Sequence, residues 1–126
     1  MIKTKNTNTD FHCVITNDRF SLDSDATIFK GGLGNGFRPH ELLEAALASC
    51  ISITIRMIAK EKKISIDKVE TQVEVDRTQS DKSVFRYTIS LDSNLNYKDK
   101  EFLMNIIDSC AVKQTLTRQL MFIPNE

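Results

Sequence analysis

The chain has 126 residues, 40% of them hydrophobic and 27% charged, a length for one domain and a balance from which a packed core can be built. Seventeen basic and seventeen acidic side chains cancel. There is thus no net field to draw nucleic acid or an anionic membrane, and the disorder signature of low hydrophobicity with high net charge is absent. Three cysteines, with no Cys-x-x-Cys pair, argue against a disulfide framework and against a zinc site of standard spacing. The expected organisation is a single domain over 1–126.

Residues 1–10 carry positive charge but no apolar stretch behind it, which does not fit a secretory signal and points to the cytoplasm, where thiols are reduced. Phe11 to Thr16 largely alternates apolar and polar residues, Asn17-Asp18 supplies a turn, and Arg19 to Asp23 resumes the alternation, so a β-hairpin is predicted. Cys13 falls on its first strand as a core residue. A third short strand is expected to include Ala26 to Phe29.

All four glycines lie between Gly31 and Gly36. Phe37 occupies the third glycine position of Gly-x-Gly-x-x-Gly, so a mobile loop is favoured over a phosphate cradle. Pro39 then suits the first turn of a helix, with Glu41 and Glu44 near its positive end. No glycine or proline interrupts the chain to Lys60, which gives a rod on the order of 30 Å long. At 100° per residue Leu43, Ala46, Leu47, Cys50, Ile53, Thr54 and Met57 share one face with Cys50 at its centre. The opposite side carries Ala45, Ala48, Ser52, Ile55 and Ala59. Such a helix wants cover on both sides. Two arrangements supply it, a homodimer with helices packed across the interface or a sheet of the chain's own that sheathes the helix. The apolar run is interrupted by Glu44 and Arg56, and its uncharged interior is too short to span a bilayer.

Val69 to Asp76 and Val84 to Leu91 alternate as a second hairpin around a polar turn. A second helical pattern begins at Asn96 to Asp99 and carries Phe102, Leu103, Ile106 and Ile107 as a stripe. Cys110 lies on or just past it, and Val112, Leu116 and Leu120 continue it. Met121 to Ile123 is expected as a short last strand closed by Pro124.

Two segments carry a resemblance: Pro39-His40-Glu41-Leu42-Leu43-Glu44-Ala45-Ala46-Leu47-Ala48-Ser49-Cys50, and, about sixty residues on, Ile106-Ile107-Asp108-Ser109-Cys110-Ala111-Val112-Lys113-Gln114-Thr115-Leu116. Together, over roughly Gly31 to Leu120, they resemble the OsmC/Ohr family of osmotically induced and organic-hydroperoxide-resistance proteins, in a divergent OsmC-like branch. The resemblance implies an α+β fold with antiparallel sheets around a long central helix carrying Cys50, in an intertwined homodimer with two interfacial sites. It also implies cofactor-free peroxidase chemistry. Cys50 attacks the organic hydroperoxide and becomes a sulfenic acid. Cys110 condenses with it to a disulfide, and a dithiol reductant of lipoyl or thioredoxin type restores the thiols.

An apolar site raises a thiol's pKa, so Cys50 on such a helix face wants a stabilising cation. Peroxidases of the family use an arginine from the N-terminal hairpin, held by a glutamate directly after the helix-start proline. Arg19 is the best positional match and Arg38 the second. Here His40 occupies the glutamate register and Glu41 lies one step on, a rotation of about 100° around the helix. The resemblance therefore implies Cys50, Cys110, Arg19, Glu41 and His40 as site residues. Glu41 orients the arginine or serves only the helix N-terminus, and His40 is a titratable partner or a solvated residue. Ala111 and Lys113 replace a proline and a histidine or serine common in the family, and Lys113 either supports a Cys110 thiolate or is solvated. Metal binding by Cys50, Cys110 and His40 lacks a fourth ligand. Other readings are a non-catalytic dimer that binds a small apolar ligand in its interfacial cleft, and a transferase or hydrolase that pairs Cys50 with His40. Ten helical positions separate those two, about 15 Å along one helix.

Overall fold

The structure, a computed structural model, describes residues 1–125. The chain falls into two compact units, Met1–Leu43 and a second from Glu44 onward.

In the first unit, β1 (Lys3–Asn6), β2 (Cys13–Thr16) and β3 (Ser21–Ser24) form an antiparallel sheet in that order. The predicted hairpin is β2–β3. Its corner is an Asx turn, in which the Asn17 side-chain oxygen accepts the N–H groups of Arg19 at 3.0 Å and Phe20 at 2.8 Å while Asp18 takes a positive φ of 74°. β1 had no signal in the pattern, because Lys-Thr-Lys-Asn is polar throughout and exposed on both faces. The strand predicted over Ala26 to Phe29 is not one. Thr27 caps a 3-10 turn at Ile28–Lys30, and Gly31 closes it at φ 93°.

The glycine segment is pinned rather than free. Asp25 is only 2% exposed, and its carboxylate accepts N–H groups from Ala26 at 2.8 Å, Asn35 at 3.1 Å and Leu33 at 3.3 Å. Those bonds, the Asn35 N–H foremost, hold its pKa below the ordinary carboxylate value against the opposing pull of burial. Phe37 is then laid along β3. Its N–H reaches the Asp23 carbonyl at 2.9 Å, and its own carbonyl accepts from the Asp25 N–H and the Ser24 hydroxyl. Glycine is required at 32, where a Cβ would stand 2.1 Å from the Ala26 carbonyl oxygen.

Asp25→Asn is expected to lower the thermal midpoint by several degrees at neutral pH, since an amide offers one acceptor and one misplaced donor to three N–H groups. Because the folded pKa is depressed, the carboxylate's contribution is complete above about pH 4 and is lost as the pH falls through its lowered value. Melting curves from pH 7 to pH 2 should therefore converge for the two proteins at the acid end.

The second unit is built on α1 (Pro39–Glu61), a 23-residue helix that matches its predicted span. Leu47, Ile51, Ile55 and Ala59, spaced four apart, form its buried ridge and meet Ile89, Leu103, Ile106 and Cys110. β4 (Val69–Asp76) and β5 (Val84–Leu91) pair in register from Val69↔Leu91 to Asp76↔Val84, as the alternation predicts. Polar ties join α1 to this region. The Glu44 carboxylate accepts the Val75 N–H at 2.8 Å, the Ser52 and Thr71 hydroxyls stand 2.8 Å apart, and Arg56 donates to the carbonyls of Ile66 and Asp67. By length and composition α1 is apolar enough to cross a membrane, with a mean hydropathy of 1.7 over 18 residues. Its buried ridge and these ties make it the core helix of this unit instead.

The second helix is not continuous. α2 (Tyr97–Met104), capped by the Asn96 side chain, is followed by a 3-10 turn at Ile106–Ser109 and by α3 (Ala111–Leu116). Asn105, Asp108 and Ser109 are residues whose side chains compete with the helical backbone, and Asn105 bonds the Glu101 carbonyl at 2.9 Å. Cys110 sits in extended conformation at the second break and is 1% exposed.

Among the described residues, one side of α1 is exposed. Leu43, Ala46, Ile53 and Met57 form an open apolar stripe, with Ile53 58% and Met57 67% exposed. The last strand expected over Met121 to Ile123 is also absent. That segment has no regular structure, and Phe122 is 90% exposed.

A facing thiol pair as candidate active site

Cys50 stands at mid-helix on α1, half-buried, and Cys110 faces it from the break before α3. Both are free thiols. Residues sixty apart meet because the break at Ser109–Cys110 turns the second cysteine off the helical line and into the core.

The two thiols are electrostatically unequal. Burial pushes the Cys50 pKa up. The Cys110 thiol, the Val112 N–H, the Thr54 hydroxyl and the Ala111 N–H together outweigh it, so Cys50 lies below the ordinary thiol value. Thr54, one turn along α1, has its oxygen 3.9 Å from the sulfur. For Cys110, burial comes first, and the Cys50 sulfur adds to it. The Lys113 and Val112 N–H groups offset only part, so Cys110 is raised. Of the two, Cys50 is therefore the thiol whose ionisation its surroundings favour, and Cys110 the one whose ionisation they oppose.

The other site candidates lie in the first unit. Glu41 engages Arg38, not Arg19. Its carboxylate accepts the Arg38 backbone N–H at 2.8 Å and the guanidinium at 3.0 Å, bonds that hold the Glu41 pKa below its ordinary value. Glu41 thus serves the helix start and an arginine at once. Arg19 lies with its guanidinium 5.5 Å from the centre of the Phe20 ring, and among the described residues it has no acidic partner. His40 is exposed on the first turn of α1.

Side-chain patterns could not disclose the N–H groups of Ala111 and Val112, since backbone donors leave no mark in composition. Thr54 was readable, four residues after Cys50 on the same face. Asp25 carried no signal beyond its place before a glycine-rich stretch.

Antiparallel sheets with a long helix that presents one thiol to another define an α+β protein with a facing pair of cysteines. The family model for OsmC-like proteins matches residues 32–123, and the chain belongs to the OsmC-like family. Among solved structures, an OsmC-like protein from Mycoplasma pneumoniae superposes with a TM-score of 0.76 at 21% identity, over 92% of this chain and 85% of that one. An organic hydroperoxide resistance protein OsmC from Legionella pneumophila gives 0.64 at 24% identity, over 93% and 89%. The organic hydroperoxide resistance protein OhrB of Bacillus subtilis gives 0.60 at 22%, over 93% and 89%. At these identities the likeness establishes the fold. Among curated proteins, none matches the chain in sequence.

Proposed function

We propose that the protein is a cytoplasmic, thiol-dependent peroxidase of organic hydroperoxides, acting in oxidative-stress defence, with Cys50 as the peroxidatic and Cys110 as the resolving cysteine. The observation that carries this reading is the facing pair itself, a half-buried thiol lowered and its buried neighbour raised. Hydroperoxide-resistance proteins among the structural relatives support the substrate class.

The Cys50 thiolate attacks the outer peroxide oxygen, the O–O bond breaks, and the alkoxide leaves as alcohol after taking a proton. Cys50 is then a sulfenic acid. Cys110 gives up its proton and attacks that sulfur, a disulfide forms, and the oxygen leaves as water. A dithiol returns two electrons through a mixed disulfide and departs oxidised.

Arg38 with Glu41 is the arginine–carboxylate pair proposed to orient the peroxide, because the guanidinium is already held; Arg19 is the alternative, and His40 a titratable neighbour in the family's glutamate register. Glu41→Gln is expected to lower kcat/KM for cumene hydroperoxide by roughly ten- to a hundredfold, the usual span for a residue that fixes a catalytic group. Arg38→Met should fall at least as far and Arg19→Met little. The reverse order in steady-state kinetics would transfer the role to Arg19.

A homodimer is part of the proposal. The stripe of Leu43, Ala46, Ile53 and Met57 and the apolar C-terminal segment are surfaces that a second copy would cover. The same open stripe favours the second reading, a dimer that binds an apolar ligand without catalysis. A co-purifying acyl or aromatic ligand that Cys50→Ser still binds normally would select it.

A further inference from the structure

The hydroxyl side chains along α1 are Ser49, Ser52 and Thr54, and their partners differ in kind. Ser49 turns back to the Ala46 carbonyl at 3.2 Å, as helical hydroxyls commonly do, and Ser52 meets the Thr71 hydroxyl at 2.8 Å. Thr54 does neither. Its oxygen stands 3.9 Å from the Cys50 sulfur, the long separation of a hydrogen bond to sulfur, and among the described residues its hydroxyl has no other hydrogen-bond partner. Thr115, in the same relation to Ala111 on α3, takes the carbonyl at 3.1 Å instead. Thr54 and Cys50 are one turn apart on the same face of one helix, and both are half-buried. The contact therefore needs no other element to hold it, and a β-branched side chain has little rotamer freedom in a helix with which to leave it.

We infer that the Thr54 hydroxyl, held against the Cys50 sulfur, favours the reduced form of the Cys50–Cys110 pair and so makes its disulfide easier for a dithiol to reopen. The place of this step in turnover rests on the peroxidase reading, whereas the chemistry of the contact does not. A thiolate accepts a hydrogen bond from the hydroxyl and a thiol exchanges one with it, but a disulfide sulfur has neither charge nor proton to offer. The contact is thus strongest in the reduced pair and weakest in the oxidised one. When a dithiol reduces the disulfide, its first sulfur forms a mixed disulfide as the protein's S–S bond breaks, and its second then closes on the first. Two electrons and two protons pass to the pair, and Cys50 gives its proton to solvent where it ionises. Stabilising the reduced form is what makes a disulfide a stronger oxidant. Thr54 is also among the groups that hold the Cys50 pKa down, in agreement with a donor on its sulfur.

The test is the redox equilibrium of the whole chain with mixtures of reduced and oxidised dithiothreitol at mildly alkaline pH, quenched with acid and read as the fraction of Cys50–Cys110 disulfide by peptide mass spectrometry. Thr54→Val keeps the branched shape and removes the hydroxyl, and it should raise the equilibrium constant for disulfide formation by roughly three- to tenfold. Thr54→Ser keeps the hydroxyl and should return the constant to that of the unaltered chain. An unchanged constant in Thr54→Val, or a shift in the opposite sense, would overturn the inference. So would an equal shift in Thr54→Ser, which traces the effect to packing rather than to the hydroxyl, and so would a pair that never closes in oxidised dithiothreitol. Because the oxidant is a disulfide and not a peroxide, the equilibrium is readable even in a protein that consumes no hydroperoxide, and a lack of peroxide consumption overturns the peroxidase reading alone.

Discussion

Cys50→Ser is expected to reduce organic-hydroperoxide consumption to the background of buffer, a loss of roughly a thousandfold or more, as when the nucleophile of a catalytic unit is removed. A serine hydroxyl at this site is neither ionised near neutrality nor able to accept oxygen, so the four interactions that outweigh burial at Cys50 would have no charge to stabilise. Cys110→Ser should behave differently. It keeps a donor beside Cys50 and should still open peroxide once, stopping at a sulfenic acid that dimedone captures. Under steady turnover with dihydrolipoamide it should slow strongly, while the first turnover, followed by rapid mixing, remains. Cys13→Ser should leave both phases intact, since Cys13 lies on β2 and is not among the groups that act on either thiol. Equal loss from all three substitutions would place the defect in folding rather than in chemistry.

The largest expected effect on stability is at Ile55. It is fully buried at the centre of the ridge that meets Ile89, Leu103, Ile106 and Cys110, and Ile55→Ala removes three carbons from inside that packed cluster. A cost of about 2–5 kcal/mol is expected, read from urea unfolding followed by circular dichroism. Ile53→Ala is the control two residues away. That side chain is on the open stripe, so its removal should cost a fraction of this within one chain. It should instead raise the protein concentration at which a dimer dissociates in sedimentation experiments, as a side chain lost from an interface does. If the two substitutions destabilised the fold equally, the stripe would not be the surface described.

Much of the scaffold was legible because period and punctuation agree. Pro39 and the absence of a helix breaker up to Lys60 marked α1, and strict alternation marked β4 and β5 almost to the residue. The failures share a cause, namely bonds between side chain and backbone that a hydropathy pattern does not carry. Asp25 converts a glycine-rich stretch into a fixed loop, Thr27 turns an expected strand into a 3-10 turn, and Asn105 with Ser109 splits one expected helix into three pieces. The last of these matters most for the site, since a continuous helix would leave Cys110 on its stripe rather than at a corner against Cys50. Of the candidate residues, the cysteines were named by the family motifs. The partner of Glu41 was not, because Arg38 and Arg19 differ in register only once the hairpin and the loop are built. The expectation that Cys50 needs a cation also changes form, since a thiol, a hydroxyl and two backbone N–H groups already lower it within its own unit.

The central claim is that Cys50 and Cys110 form one redox pair. It is tested most directly by peptide mass spectrometry of the reduced protein after stoichiometric cumene or tert-butyl hydroperoxide. The predicted product is a Cys50–Cys110 disulfide with Cys13 still a thiol and the peroxide consumed in proportion. Both thiols free beside undiminished peroxide, or a disulfide that includes Cys13, would contradict it.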